Sequence, residues 1–73
     1  MQLRILTRFD FVRDRLSHFY HWNDYTALNA AVGVAAQGVD EVDLDRLRAW
    51  TAIEGPGLAA RLAEFERRLE RIL

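Results

Sequence analysis

A three-then-four spacing of apolar residues recurs along this chain and limits what it can fold into. Phe9, Val12, Leu16 and Phe19 follow it, as do Tyr25, Leu28, Val32 and Ala35. Leu44, Leu47 and Trp50 form a shorter set at two steps of three, and Leu58, Leu62, Phe65, Leu69 and Ile72 the longest, at alternating steps of four and three. A helix turns once every 3.6 residues, so each set lines one side of a helix and leaves the other side polar. Each such side must be buried against another. The expected fold is therefore all-α: a small antiparallel bundle of four helices, at about 8–21, 24–37, 44–54 and 58–73, with connections short enough to make neighbours antiparallel.

The breaks carry matching signals. Thr7 with Asp10 three residues on resembles a capping box, with Asp in place of Glu. Asn23 is the expected N-cap of the second helix, with Asp24 on its first turn, where the helix dipole favours negative charge. The row Ala27, Ala31, Ala35, with Gly33 nearby, makes this helix slim and marks it as the central, most enclosed one. Gly38 suits its C′ position. Asp43 is the expected cap of the third helix, whose inward residues are Leu44, Leu47 and Trp50. Gly55-Pro56-Gly57 is the strongest turn signal in the chain.

Residues 2–6 read differently. Leu3 and Ile5 alternate with Gln2 and Arg4, a period of two that predicts a short strand before the bundle. A lone strand leaves unpaired N–H and C=O groups. It is expected to fray, to pair with a strand from another chain, or to belong to a sheet lying upstream.

With 73 residues, the chain is expected to form one helical domain over 1–73. A domain of this size buries only about 60–65% of the surface its unfolded chain exposes, and it gains from a partner. No apolar run reaches the roughly 18–20 residues of a spanning helix, so no membrane role is expected. Cysteine is absent, which removes disulfides and thiolate chemistry and fits a cytoplasmic setting.

All ten basic residues are arginine, against eleven acids. Residues 1–22 carry a net +2, residues 23–45 a net −5 and residues 46–73 a net +2. A duplex-DNA binder shows a basic stripe and a basic total, and an acidic middle disfavours nucleic acid as a partner.

The densest polar and aromatic stretch runs from Arg13 to Asp24. His18 and His21 share one side of a helix with Asp14, a permissive but undiagnostic spacing for a divalent ion. Helix-end histidines held by the dipole are the simpler reading, and no metal or cofactor is expected. Asp14 and His18 are spaced for a hydrogen bond, yet no nucleophile completes a triad, because Ser17 points away. No Gly-rich phosphate loop is present. No catalytic residue is therefore expected, and the chain reads as a non-enzyme. Phe11, His18 and Trp22 trace a second stripe on helix 1, offset from Phe9 and Phe19. Two covered sides on one helix imply a protein partner or self-association. Leu3, Ile5, Phe11, His18 and Trp22 are the expected interaction surface.

Leu6-Thr7-Arg8-Phe9-Asp10-Phe11-Val12-Arg13-Asp14-Arg15-Leu16, then Phe19-Tyr20-His21-Trp22-Asn23-Asp24 and Ala27-Leu28, resembles the C-terminal helical part of bacterial minimal-nucleotidyltransferase-like proteins. These include toxins of abortive-infection toxin–antitoxin systems. Val42-Asp43-Leu44-Asp45-Arg46-Leu47, Trp50, Glu54-Gly55 and Phe65 are similar to their helical tails. The resemblance implies that residues 2–6 are the last strand of a sheet, and that the Gly-Ser loop and paired aspartates of the catalytic half lie elsewhere. It also implies that Arg13, Arg15 and Asp24 face a nucleotide cleft, although the family's usual lysine is absent. The expected function is a non-catalytic helical interaction module related to that helical half, forming a homodimer or docking a protein partner that pairs with strand 2–6. The alternative is a nucleotide-binding accessory subunit of such a system.

Overall fold

The computed structural model describes residues 7–73, and these residues form four α-helices with no strand among them. The expected strand 2–6, with Leu3 and Ile5, lies outside the described residues.

Helix α1 spans Arg8–Trp22. Thr7 Oγ1 accepts the Asp10 N–H at 3.0 Å, so the forward half of the capping box forms. The Asp10 carboxylate turns instead to Arg13, 3.6 Å away. Asn23 ends α1 in the left-handed region, φ 55° and ψ 38°, and its N–H bonds Phe19 O at 3.0 Å. Helix α2, Tyr25–Gln37, is capped by Asp24, whose Oδ1 accepts the Ala27 N–H at 3.2 Å. Two neighbours therefore divide the work expected of Asn23 alone. Asn tolerates a left-handed backbone, which reverses the chain, and Asp accepts the first free N–H beyond it.

Gly38 closes α2 with φ −159°, which is extended rather than left-handed. Its missing side chain matters for another reason: a Cβ there would strike the Arg8 side chain. A 3₁₀ turn, Val39–Glu41, then leads to buried Val42. Helix α3, Leu44–Glu54, begins as expected at Asp43, whose Oδ1 accepts the Arg46 N–H at 3.1 Å. Gly55 ends it, and a second 3₁₀ turn, Pro56–Leu58, feeds α4, Ala59–Ile72.

One core joins the four stripes. Val12, Leu16, Phe19, Leu28, Ala31, Ala35, Leu47 and Phe65 are fully enclosed, with Leu62 and Leu69 beside them. Side-chain pairs fix the directions. Arg8 meets Val34 and Phe19 meets Tyr25, so α1 and α2 are antiparallel. Arg46 lies over Phe9 while His21 meets Glu54, so α3 runs the same way as α1. Arg61 meets Asn23 and Arg68 meets Asn29, so α4 follows the direction of α2.

Burial follows the expected stripes closely, with differences at α3 and at the end of α4. Helix α2 is the most enclosed of the four, as expected, although Thr26, Asn29, Gly33 and Gln37 face solvent. Its small residues allow both α1 and α4 to pack against it. On α3, Leu44 and Trp50 are half-buried, and Thr51 shares the interior with Leu47. Thr51 is admitted because the Tyr20 hydroxyl satisfies it at 2.8 Å. Ile72 ends the α4 stripe but is 60% exposed.

Candidate interaction surface at one end of the bundle

Helices α1 and α3 run side by side in one direction, so their C-termini arrive together. The last carbonyls of α1 and α3, with partial negative charge, there lie beside the first N–H groups of α2 and α4. His21, in the last turn of α1, sets Nε2 3.4 Å from Glu54 Oε2 on α3. Both side chains are well hydrated, so this pair fixes position more than it adds stability. Beside it, Arg61 of α4 donates to Asn23 Oδ1 at 2.7 Å and lies 5.2 Å from the Phe19 ring. These two ties hold the four helix ends together.

Trp22 and Ile53 each stand next in sequence to a member of the His21–Glu54 pair. They are 77% and 84% exposed. Enclosing either side chain is worth about 1.5–3 kcal/mol, which this fold forgoes at both positions. The cause is local. Trp22 is the last helical residue before the Asn23 reversal, so the chain leaves before anything can fold over it. Ile53 falls off the Leu47–Thr51 side of α3, toward solvent. Tyr25, 45% exposed, borders the same end, with its ring edge-on to Phe19 at 5.2 Å.

Behind this surface the packing is firm. Tyr20 stacks on Trp50 with centroids 5.5 Å apart and planes inclined by 22°. Burial pushes the Tyr20 phenol above its usual range; its hydrogen bond to Thr51 acts the other way, and the Glu66 charge adds to the rise. On the α3–α4 side, Arg48 bonds Glu66 at 2.7 Å and Asp45 at 3.2 Å, and the bond to Glu66 raises the guanidinium pKa further.

The residues expected to form an interaction surface are divided by the structure. His18 is exposed one helical turn before Trp22, so these two share a side of α1. Phe11 is half-buried, about 16 Å from Trp22 along α1 at 1.5 Å per residue. It lines a separate shallow hollow with Thr7, Arg8, Val34 and Glu41. Arg13 pairs with Asp10 and Arg15 with Asp14, while Asp24 is engaged as the α2 cap. No hydrogen bond or ion pair among the described residues links Arg13, Arg15 and Asp24 to one another. His18, His21 and Asp14 do not gather either, and no group of three metal-ligating side chains is present among the described residues.

Sequence reasoning missed Ile53 and Glu54. The signal was available: an isoleucine three residues past Trp50, outside the Leu44–Leu47 stripe and just before the Gly-Pro-Gly turn. No helix among the described residues is long and apolar enough to cross a membrane. Compared with protein-family models, curated proteins and solved structures, the chain matches none.

Proposed function

We propose that this chain is a non-catalytic helical interaction module that pairs with a second copy of itself through the Trp22–Ile53 end. The observation that carries this reading is the joint exposure of Trp22 and Ile53 around the His21–Glu54 pair. Charge favours a second copy over an unrelated partner. The end carries the Arg61 guanidinium and the Glu54 carboxylate, and a two-fold axis through it would let each protomer offer a cation to the other's anion. Trp22 of one protomer then covers Ile53 of its partner. A contact confined to one end is smaller than the roughly 800 Å² per partner of a standard interface, so the dimer is weak.

The kinship to the helical half of nucleotidyltransferase-like proteins belongs to the same proposal, and the residue runs 6–28 and 42–65 are its support. The pairing of strand 2–6 with another chain is a second contact that the same module would offer. A cytoplasmic setting is supported by the absence of cysteine. A nucleotide-binding role draws nothing from the geometry, because Arg13 and Arg15 are each paired to a neighbouring carboxylate.

Sedimentation velocity from about 10 μM to about 1 mM tests the proposal, the range in which a weak dimer forms. The expected result is a rising weight-average mass that Trp22→Ala and Ile53→Asp each abolish while circular dichroism stays unchanged. A monomer throughout, or a dimer indifferent to both substitutions, overturns it.

A further inference from the structure

The arginines of this chain are not all engaged alike. Arg8, Arg13, Arg15, Arg48 and Arg68 each pair with a carboxylate. Arg46 lies over the Phe9 ring, and Arg61 lies over Phe19 while bonding Asn23. Arg67 and Arg71 are exposed and make no ion pair or hydrogen bond among the described residues. These two line one hollow of about 330 Å³ on α4, together with Arg68 and Glu64.

Helix geometry gathers the three stems on one side. At about 100° per residue, Arg71 falls about 40° from Arg67 and about 60° from Arg68 around the axis. Like charges four positions apart on a helix repel, and only the negative end of the α4 dipole offsets this. No acid among the described residues relieves Arg67 and Arg71. Glu66 is turned to Arg48 on α3, and Glu70 makes no ion pair among the described residues. Helix α2, against which α4 packs, carries no charged residue from Tyr25 to Gln37. Arg68, by contrast, is held in place. It donates to Asn29 Oδ1 at 3.0 Å and to Glu64 Oε2 at 2.9 Å, which uses two of its five N–H groups. One fixed guanidinium therefore stands beside two that lack partners among the described residues.

We propose that this hollow binds a phosphate monoester in its dianionic form. Guanidinium groups meet phosphate oxygens through paired N–H donors, and Arg67 and Arg71 have theirs to give. Charge selects the dianion. Three guanidiniums set against the single Glu64 carboxylate leave two positive charges at the hollow. A monoester near neutral pH matches that sum, whereas a phosphate diester carries one charge fewer. The same group is found on small soluble phosphates and on phosphatidic acid at a lipid surface. The site lies on the second half of α4, away from the Trp22–Ile53 end, and does not depend on self-pairing.

Glycerol 2-phosphate, titrated into the full chain at constant ionic strength and followed by amide chemical shifts, is the first probe. Saturable shifts are expected at Arg67, Arg68 and Arg71, with half-saturation in the millimolar range. Arg67→Gln and Arg71→Gln, at exposed positions, each weaken binding about tenfold, the worth of one charge-assisted hydrogen bond. Arg13→Gln removes the same charge from α1 and, with distant charges screened by salt, leaves binding unchanged. Dimethyl phosphate, a monoanionic diester, binds more weakly than the monoester. Vesicles containing phosphatidic acid form the second arm: capture there without saturable binding of glycerol 2-phosphate assigns the site to a lipid headgroup, and saturable binding of glycerol 2-phosphate assigns it to soluble phosphates. Binding in neither arm, equal binding of the diester, or a loss as large from Arg13→Gln as from Arg67→Gln and Arg71→Gln overturns the proposal.

Discussion

The two ends of the bundle are built from similar parts and finished differently. At one end, Arg8 donates to Val34 O at 3.1 Å and Glu41 at 3.0 Å, which fastens the start of α1 to the close of α2. Arg46 lies 4.4 Å over the Phe9 ring, and Val42 is drawn inside. At the other end, Arg61 covers the Phe19 ring but stops short of Trp22. Each end presents aromatic and aliphatic groups. What differs is whether a long arginine side chain lies across them, shielding apolar surface with its stem while its head stays hydrated. Among the described residues the Arg8–Glu41 end is covered by its own side chains, and the Trp22–Ile53 end is the one that the proposed dimer would cover.

Phe9→Ala and Trp22→Ala separate the ends most sharply. Phe9 is 6% exposed, and its loss should cost about 3–5 kcal/mol in urea denaturation. Trp22→Ala should cost about 0.5 kcal/mol or less at concentrations where the chain is monomeric. Equal costs would mean that Trp22 is packed within the protomer and would erase the contrast.

Gly38→Ala tests how the closed end is fastened. The new Cβ meets the Arg8 side chain, which must leave both Val34 O and Glu41. A loss of about 1 kcal/mol is expected in thermal or urea unfolding, and Arg8→Ala on the Gly38→Ala background should then add little. Full additivity of the two changes would show that Arg8 is not what Gly38 accommodates.

Gly33→Ala works in the opposite direction. Gly33 lies on the open side of α2, and nothing stands within 4 Å of an added Cβ. Alanine should stabilise the chain by about 0.5–1 kcal/mol through helix propensity and reduced unfolded-state entropy. A destabilised variant would place a close neighbour on that side of α2, and sedimentation would show whether it is a second copy.

The Tyr20–Thr51 pair underlies a pH effect. The Tyr20 pKa is raised in the fold, first by burial. An unfolded tyrosine titrates near 10. The associated stability is therefore intact below about pH 10 and is lost as pH rises from there through the higher folded value. Melting temperatures across the alkaline range should fall for the native chain and fall less for Tyr20→Phe. Matching slopes would remove Tyr20 as the titrating group.

The four helices were legible because their apolar spacing survives in the fold almost residue for residue. Asp43, Thr7 and Gly55 signalled their ends through chemistry that acts within three or four positions. Asn23 was harder, because a residue good at capping the next helix is equally good at ending the previous one by a left-handed turn. Thr51 could not be foreseen, since what admits it is Tyr20, 31 positions earlier. The interaction surface was half legible. Trp22 and His18 stood out as an off-stripe pair on α1, whereas Ile53 gains meaning only once α1 and α3 are known to end together. Phe11 shares the Trp22 stripe in sequence and yet lines a different hollow at the far end of α1.

Amide chemical shifts recorded through a dilution series test the contrast between the two ends most directly. Concentration-dependent shifts are predicted at residues 21–25 and 53–55, with residues 8, 38 and 41 unmoved. Shifts clustered around Arg8 and Glu41 instead, or none between about 10 μM and about 1 mM, would contradict the assignment of the exposed end as the self-pairing one.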